Sequence, residues 1–142
     1  MTTIEVLRSR VVRGLRNNNP FNIRFSGINW KGKLKEAKRD ADFEEFENLV
    51  FGIRAGLINL KTYYNRHELK NLLTVVTRYA PSHENDTSAY VGFLASELKI
   101  LPTMDLKLNE RDNLINLGWA IVKYETGTDL GKQIFENAYD II

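Results

Sequence analysis

The run Arg13-Gly14-Leu15-Arg16-Asn17-Asn18-Asn19-Pro20-Phe21-Asn22-Ile23-Arg24 restricts the fold more than any other stretch of the chain. Three consecutive asparagines ahead of a proline exclude a helix interior. Asn prefers turns and caps, and Pro20 drives Asn19 out of the helical region. Phe21, Ile23 and Phe25 then alternate with Asn22 and Arg24, the period of a short strand. Such a turn can aim several neutral amides in one direction. Each amide both donates and accepts hydrogen bonds. That chemistry suits a neutral polar ligand such as a sugar or a peptide, and it equally suits a hydrogen-bonded turn that merely starts a strand.

The 142 residues are the size of one domain, residues 1–142, and a hydrophobic fraction of 43% is enough for a core. A net charge of +2 leaves no nucleic-acid footprint in the bulk balance. Charge is nevertheless clustered: Arg8, Arg10, Arg13 and Arg16 at one end, then Lys31, Lys33, Lys35, Lys38 and Arg39. These read as solvated charge or as a surface suited to an anionic polymer. There is no cysteine, hence no disulfide framework and no thiol chemistry. With two histidines besides, a zinc site is not expected, and no metal or cofactor is implied. No apolar run is long enough to span a bilayer, and the N-terminus lacks the apolar centre of a signal peptide.

Taken in order, residues 4–16 read as a short helix or an extended arm ending at Gly14. After the turn and strand comes Ser26-Gly27-Ile28-Asn29-Trp30-Lys31-Gly32-Lys33, a hairpin or loop in which Trp30 is either a sugar-stacking platform or a lid on the core. Residues 35–42 are charged and expected at the surface. Phe43-Glu44-Glu45-Phe46 reads as a second strand pairing with the first. From Asn48, a plausible N-cap, the period becomes helical: Val50, Ile53, Leu57, Leu60 and Tyr64, with Gly52 and Gly56 placed for close packing. Leu69, Leu72, Leu73 and Val76 outline a further helix that stops before Pro81. Asp86 caps a helix burying Tyr90, Val91, Leu94 and Leu98. Asn109 is expected to cap one whose stripe is Leu114, Leu117, Ile121 and Tyr124, ending before Gly127. Leu130, Ile134, Ala138 and Ile141 outline the last. The fold class is therefore α+β, mostly α, with a two- or three-stranded sheet.

One residue does not fit this pattern. Glu125 follows Ile121 by four positions and Leu117 by eight, close to the buried stripe, and it stands at a helix C-terminus where the dipole disfavours negative charge. Both effects favour the neutral acid. A carboxylic acid that keeps its proton near neutral pH is what glycosidic cleavage requires, since the leaving oxygen must receive one. The alternative is a glutamate frayed into solvent or paired with a lysine.

The segment Ala120-Ile121-Val122-Lys123-Tyr124-Glu125-Thr126-Gly127 resembles the catalytic helix of lysozyme-superfamily enzymes, which ends in Glu, then Ser or Thr, then Gly. Asn17 to Arg24 is similar to the Asn-Asn-x-Phe-x-Ile-Lys segment of bacterial glucosaminidases in that superfamily. Arg78-Tyr79-Ala80-Pro81, with Tyr90 downstream, is similar to their Tyr-Ala-(Thr)-Asp-Pro-x-Tyr segment. Over its whole length the chain looks like a family of small phage and prophage proteins described as virion structural proteins. Its signature appears here as Arg13 to Arg24, Gly52-Ile53-Arg54-Ala55, and Ala80-Pro81-Ser82-His83-Glu84-Asn85-Asp86-Thr87-Ser88-Ala89-Tyr90. In glucosaminidases the glutamate helix precedes the Asn-Asn segment, so the resemblance implies a circular permutation.

These resemblances imply a lysozyme-like domain that cleaves peptidoglycan, as a muramidase, glucosaminidase or lytic transglycosylase. Glu125 would be the general acid and Glu84 the candidate second carboxylate. Asn17, Asn18, Asn22, Trp30, Tyr79, Tyr90 and Thr126 would bind the glycan strand. Such a protein would be made in the bacterial cytoplasm, carried with the virion and active at the cell wall. The competing implication is a non-catalytic virion or glycan-binding component whose partners are other virion proteins. Nucleic-acid binding through the N-terminal arginines ranks last, and no membrane partner is implied.

Overall fold

The computed structural model describes residues 13–36, 39–79 and 86–142. Residues 13–16 are helical and lead into the asparagine turn. After an irregular segment come α1 (Leu49–Arg66), α2 (Leu72–Tyr79), α3 (Thr87–Leu98), α4 (Arg111–Thr126) and α5 (Gln133–Tyr139).

The helices follow the apolar period, and short polar side chains start most of them. Asn48 caps α1, its side chain accepting from the Phe51 N–H at 3.2 Å. At α2, Asn71 Oδ1 accepts from Thr74 N at 3.0 Å while Thr74 Oγ1 accepts from Asn71 N at 3.3 Å, a reciprocal cap. Asp86 accepts from Ala89 N at 3.1 Å to start α3. α4 differs from expectation. Its N-cap position is Glu110, whose side chain makes no cap bond, because the Asn109 side chain exchanges amide hydrogen bonds with Asn65 on α1 at 2.9 and 3.0 Å. Along α2 the buried positions are Leu72, Val75 and Val76, and Leu73 faces solvent. Gly127, in the left-handed region at φ 66°, ends α4.

α1 is the central element: it packs on α2, α4 and α5, while α4 packs on α3 and α5. Leu57, Leu60, Leu94, Leu114, Leu117 and Phe135 fill the space between them. Phe21, from the turn, is buried in the same core. Two glycines one helical turn apart make room for that turn. A Cβ on Gly52 would stand 1.8 Å from the Asn18 carbonyl oxygen, and one on Gly56 would stand 2.1 Å from the Phe21 ring. The α1 surface is therefore a groove that receives the Asn18–Phe21 backbone, as the placing of these glycines suggests.

The expected small β-sheet is not formed among the described residues, and the α+β expectation gives way to a helical fold. Among the described residues there is no strand, only isolated antiparallel bridges between Arg24 and Phe43 and between Lys33 and Phe46. The two extended segments begin to pair: Phe25 N–H donates to Asp42 O at 2.8 Å and Glu44 N–H to Ile23 O at 3.0 Å. The asparagine side chains then take the groups a ladder would use. Asn19 Nδ2 donates to Glu44 O at 3.0 Å and to Ile23 O at 2.9 Å, and its Oδ1 accepts from Ile23 N at 3.0 Å. Asn18 Nδ2 takes Phe46 O at 3.0 Å, and the Phe46 N–H goes to Asn17 O at 2.9 Å. Backbone of the facing segment and asparagine side chains together satisfy these groups.

Candidate functional site

The amide-rich turn points inward. Asn17 and Asn19 are buried, and Asn17 Nδ2 donates to Asp40 Oδ2 at 2.9 Å. Asn18 and Asn22 adopt positive φ values of 53° and 54°, a conformation that asparagine tolerates better than most residues. Asn22 is half-buried, and its Nδ2 is enclosed without a hydrogen-bond partner among the described residues.

Asp40 organises this region. Its carboxylate is wholly buried and receives a bidentate pair from Arg13, Nε to Oδ2 at 2.5 Å and Nη2 to Oδ1 at 2.6 Å. Arg16 approaches Oδ2 at 3.4 Å, and the Asp42 and Phe43 N–H groups donate to Oδ1 at 2.9 and 3.0 Å. Hydrogen bonding from the Arg13 guanidinium, more than any other contact, holds the Asp40 carboxyl well below the usual carboxylate range, against the opposing effect of burial. The same bond raises Arg13 further above its already high value. The Arg13 and Arg24 guanidinium groups lie over the Phe43 ring at 4.7 and 4.9 Å. Two more acids are buried alongside. Glu45 Oε2 accepts from the Arg39 and Asp40 N–H groups at 2.6 and 2.9 Å. Glu44 Oε2 stands 3.2 Å from Lys33 Nζ.

Sequence reasoning places residues 35–42 at the surface and so misses Asp40. The available signal is the arginine excess at Arg13 and Arg16, which requires a counter-ion; the partner lies 27 positions from Arg13, beyond any local pattern.

The other predicted site residues within the described segments lie on α2, α3, α4 and the Trp30 loop. Tyr79, at the end of α2, donates its hydroxyl to the Phe21 carbonyl and so joins the asparagine turn. Trp30 is buried in a small cluster with Phe46 and Ala55, the lid arrangement rather than an open stacking platform. Tyr90 is buried on α3 with its ring stacked on Tyr124 at 3.9 Å between centroids. Glu125 follows Tyr124 in the last turn of α4 and is half-buried. The Thr126 hydroxyl, itself buried, donates to Val122 O at 2.8 Å and accepts from Thr128 N at 3.2 Å, closing the helix end. Glu84 lies outside the described residues. Tyr79 thus meets the turn that holds Asn17, Asn18 and Asn22, and Tyr90 meets Tyr124 where α3 packs on α4. Among the described residues no cluster of three or more His, Cys, Asp or Glu side chains has the arrangement of a metal site.

No protein-family model matches the chain. The chain is similar to Protein P5 of Pseudoalteromonas phage PM2, with 41% identity over 105 residues that cover 72% of this chain and 64% of that protein. It thus spans just under two thirds of the phage protein's length.

Proposed function

We propose that the chain is a non-catalytic structural component of a phage particle, with other virion proteins as its partners. The observation that carries this reading is the inward commitment of the amide-rich turn. The Asn17, Asn18 and Asn19 side chains hydrogen-bond to Asp40 and to backbone carbonyls of the chain itself. Trp30 and Thr126 are buried as well. The catalytic expectation needs a sheet-lined cleft with amides facing a glycan, and the described residues have no sheet. Similarity to a phage protein supports a phage setting. The test is the protein content of particles purified on a density gradient from a lysate of the phage or prophage encoding this chain. The chain should band with the particles in a fixed ratio to the major coat protein. Its retention in the soluble fraction would overturn the reading.

A second reading, peptidoglycan cleavage with Glu125 as general acid, has one specific observation in its favour. Glu125 is half-buried in the last turn of α4. It predicts clearing of a cell-wall zymogram that Glu125→Gln abolishes.

A further inference from the structure

We propose that the loop around Phe25 and Ile28 is a docking element for an anionic lipid surface. Both side chains are about half exposed, 52% and 53%, although large apolar groups are ordinarily buried. They are held together by one cation. Lys33 Nζ donates to Ser26 O at 3.0 Å and to Ile28 O at 2.9 Å, stands 3.2 Å from Glu44 Oε2, and lies 4.8 Å from the centre of the Phe25 ring. All three ammonium donors thus have a carbonyl or carboxylate oxygen in reach. The Ser26 hydroxyl accepts from Ile28 N at 3.2 Å and tightens the bend. The loop is therefore braced from beneath, and the two apolar groups are presented without an ordering cost at the moment of binding.

The charge around them selects the occupant. From Arg24 to Lys35 the sequence holds Arg24, Lys31, Lys33 and Lys35 and no acidic residue, while Glu36 and Glu47 border the hollow that Lys31 and Lys35 line. Arg24, Lys31 and Lys35 are exposed. Exposed cations flanking exposed apolar tips match a surface with anionic headgroups over hydrocarbon. A polyanion without an apolar face, such as heparin, would satisfy the cations but offer nothing to Phe25 and Ile28. No helix of the described residues is long and apolar enough to cross a membrane.

Flotation with two kinds of vesicle tests this: phosphatidylcholine alone, and phosphatidylcholine with about a third phosphatidylglycerol. The full chain should float with the anionic vesicles, stay behind with the neutral ones, and release as salt is raised. The Phe25→Ser/Ile28→Ser double variant should bind about tenfold more weakly, since burial of two half-exposed side chains is lost. Its thermal midpoint should hold, because neither side chain is in the core. Lys31→Glu/Lys35→Glu should also lose binding. Failure of the full chain to float with anionic vesicles would overturn the proposal. So would binding that the Phe25/Ile28 change leaves intact, or equal affinity for heparin with the same insensitivity, which would mark a plain polyanion site.

Discussion

Asp40 is the residue whose loss should be felt most. Removing its carboxylate by Asp40→Ala leaves Arg13 facing a buried gap and strips the acceptors from Asn17, Asp42 and Phe43. Breaking a buried pair from one side costs about 3–5 kcal/mol. Arg13 retains partial exposure, 30% of its side chain, which places the expected loss near the lower bound. Urea unfolding at neutral pH measures it. The pH dependence has a definite sign. The folded-state value of Asp40 lies below its ordinary one, so its contribution is complete above the unfolded value of about 3.9 and drains away as the pH falls further. The stability gap between the natural chain and Asp40→Asn should be level from pH 7 to about pH 5 and narrow below about pH 4. A gap that widens on acidification would contradict the assignment. Asn19→Ala is the companion test. It removes three hydrogen bonds from a side chain with no exposure, and the orphaned Ile23 and Glu44 backbone groups should cost about 2–4 kcal/mol in the same measurement.

Among the elements, α1 matters for the groove on its surface as much as for its apolar stripe. Gly52→Ala would set a Cβ against backbone, the Asn18 carbonyl, which cannot swing aside. Gly118→Ala on α4 would meet side-chain atoms alone, the nearest being the end of Leu57 at 2.6 Å, and side chains yield more readily than backbone. The first should therefore cost several times the second, about 3 kcal/mol or more against about 1 kcal/mol, read from denaturant midpoints. Comparable values would mean that the turn does not seat on α1 as described. The helices were legible in the sequence because their stripes recur at a local period: Ile53, Leu57, Leu60 and Tyr64 announce α1 without knowledge of what they touch. The pairing of residues 21–25 with 43–46 was legible only as far as the alternation of side chains. Alternation cannot say whether the backbone will find another strand or the amides of Asn18 and Asn19, and here the two share it.

For the whole molecule, the same ambiguity decides the functional reading. An asparagine amide has one donor group and one acceptor whether it faces a sugar or its own main chain. Only long-range placement separates the two, and Asp40, Phe46 and Glu44 all reach the turn from more than 20 positions away. The candidate site was thus visible as composition but not in the direction it faces. The burial of Trp30 in a cluster with Phe46 and Ala55 is of the same kind, since its glycine-flanked loop carries no local mark of a partner on α1. In the described structure the turn is a joint between the N-terminal segment and α1, and the account of a phage component without glycosidase activity rests on that. A zymogram on purified peptidoglycan, with the natural chain beside Glu125→Gln and an active lysozyme control, tests it most directly. The account predicts no clearing by either form of the chain; a clear band from the natural chain that vanishes in Glu125→Gln would contradict it.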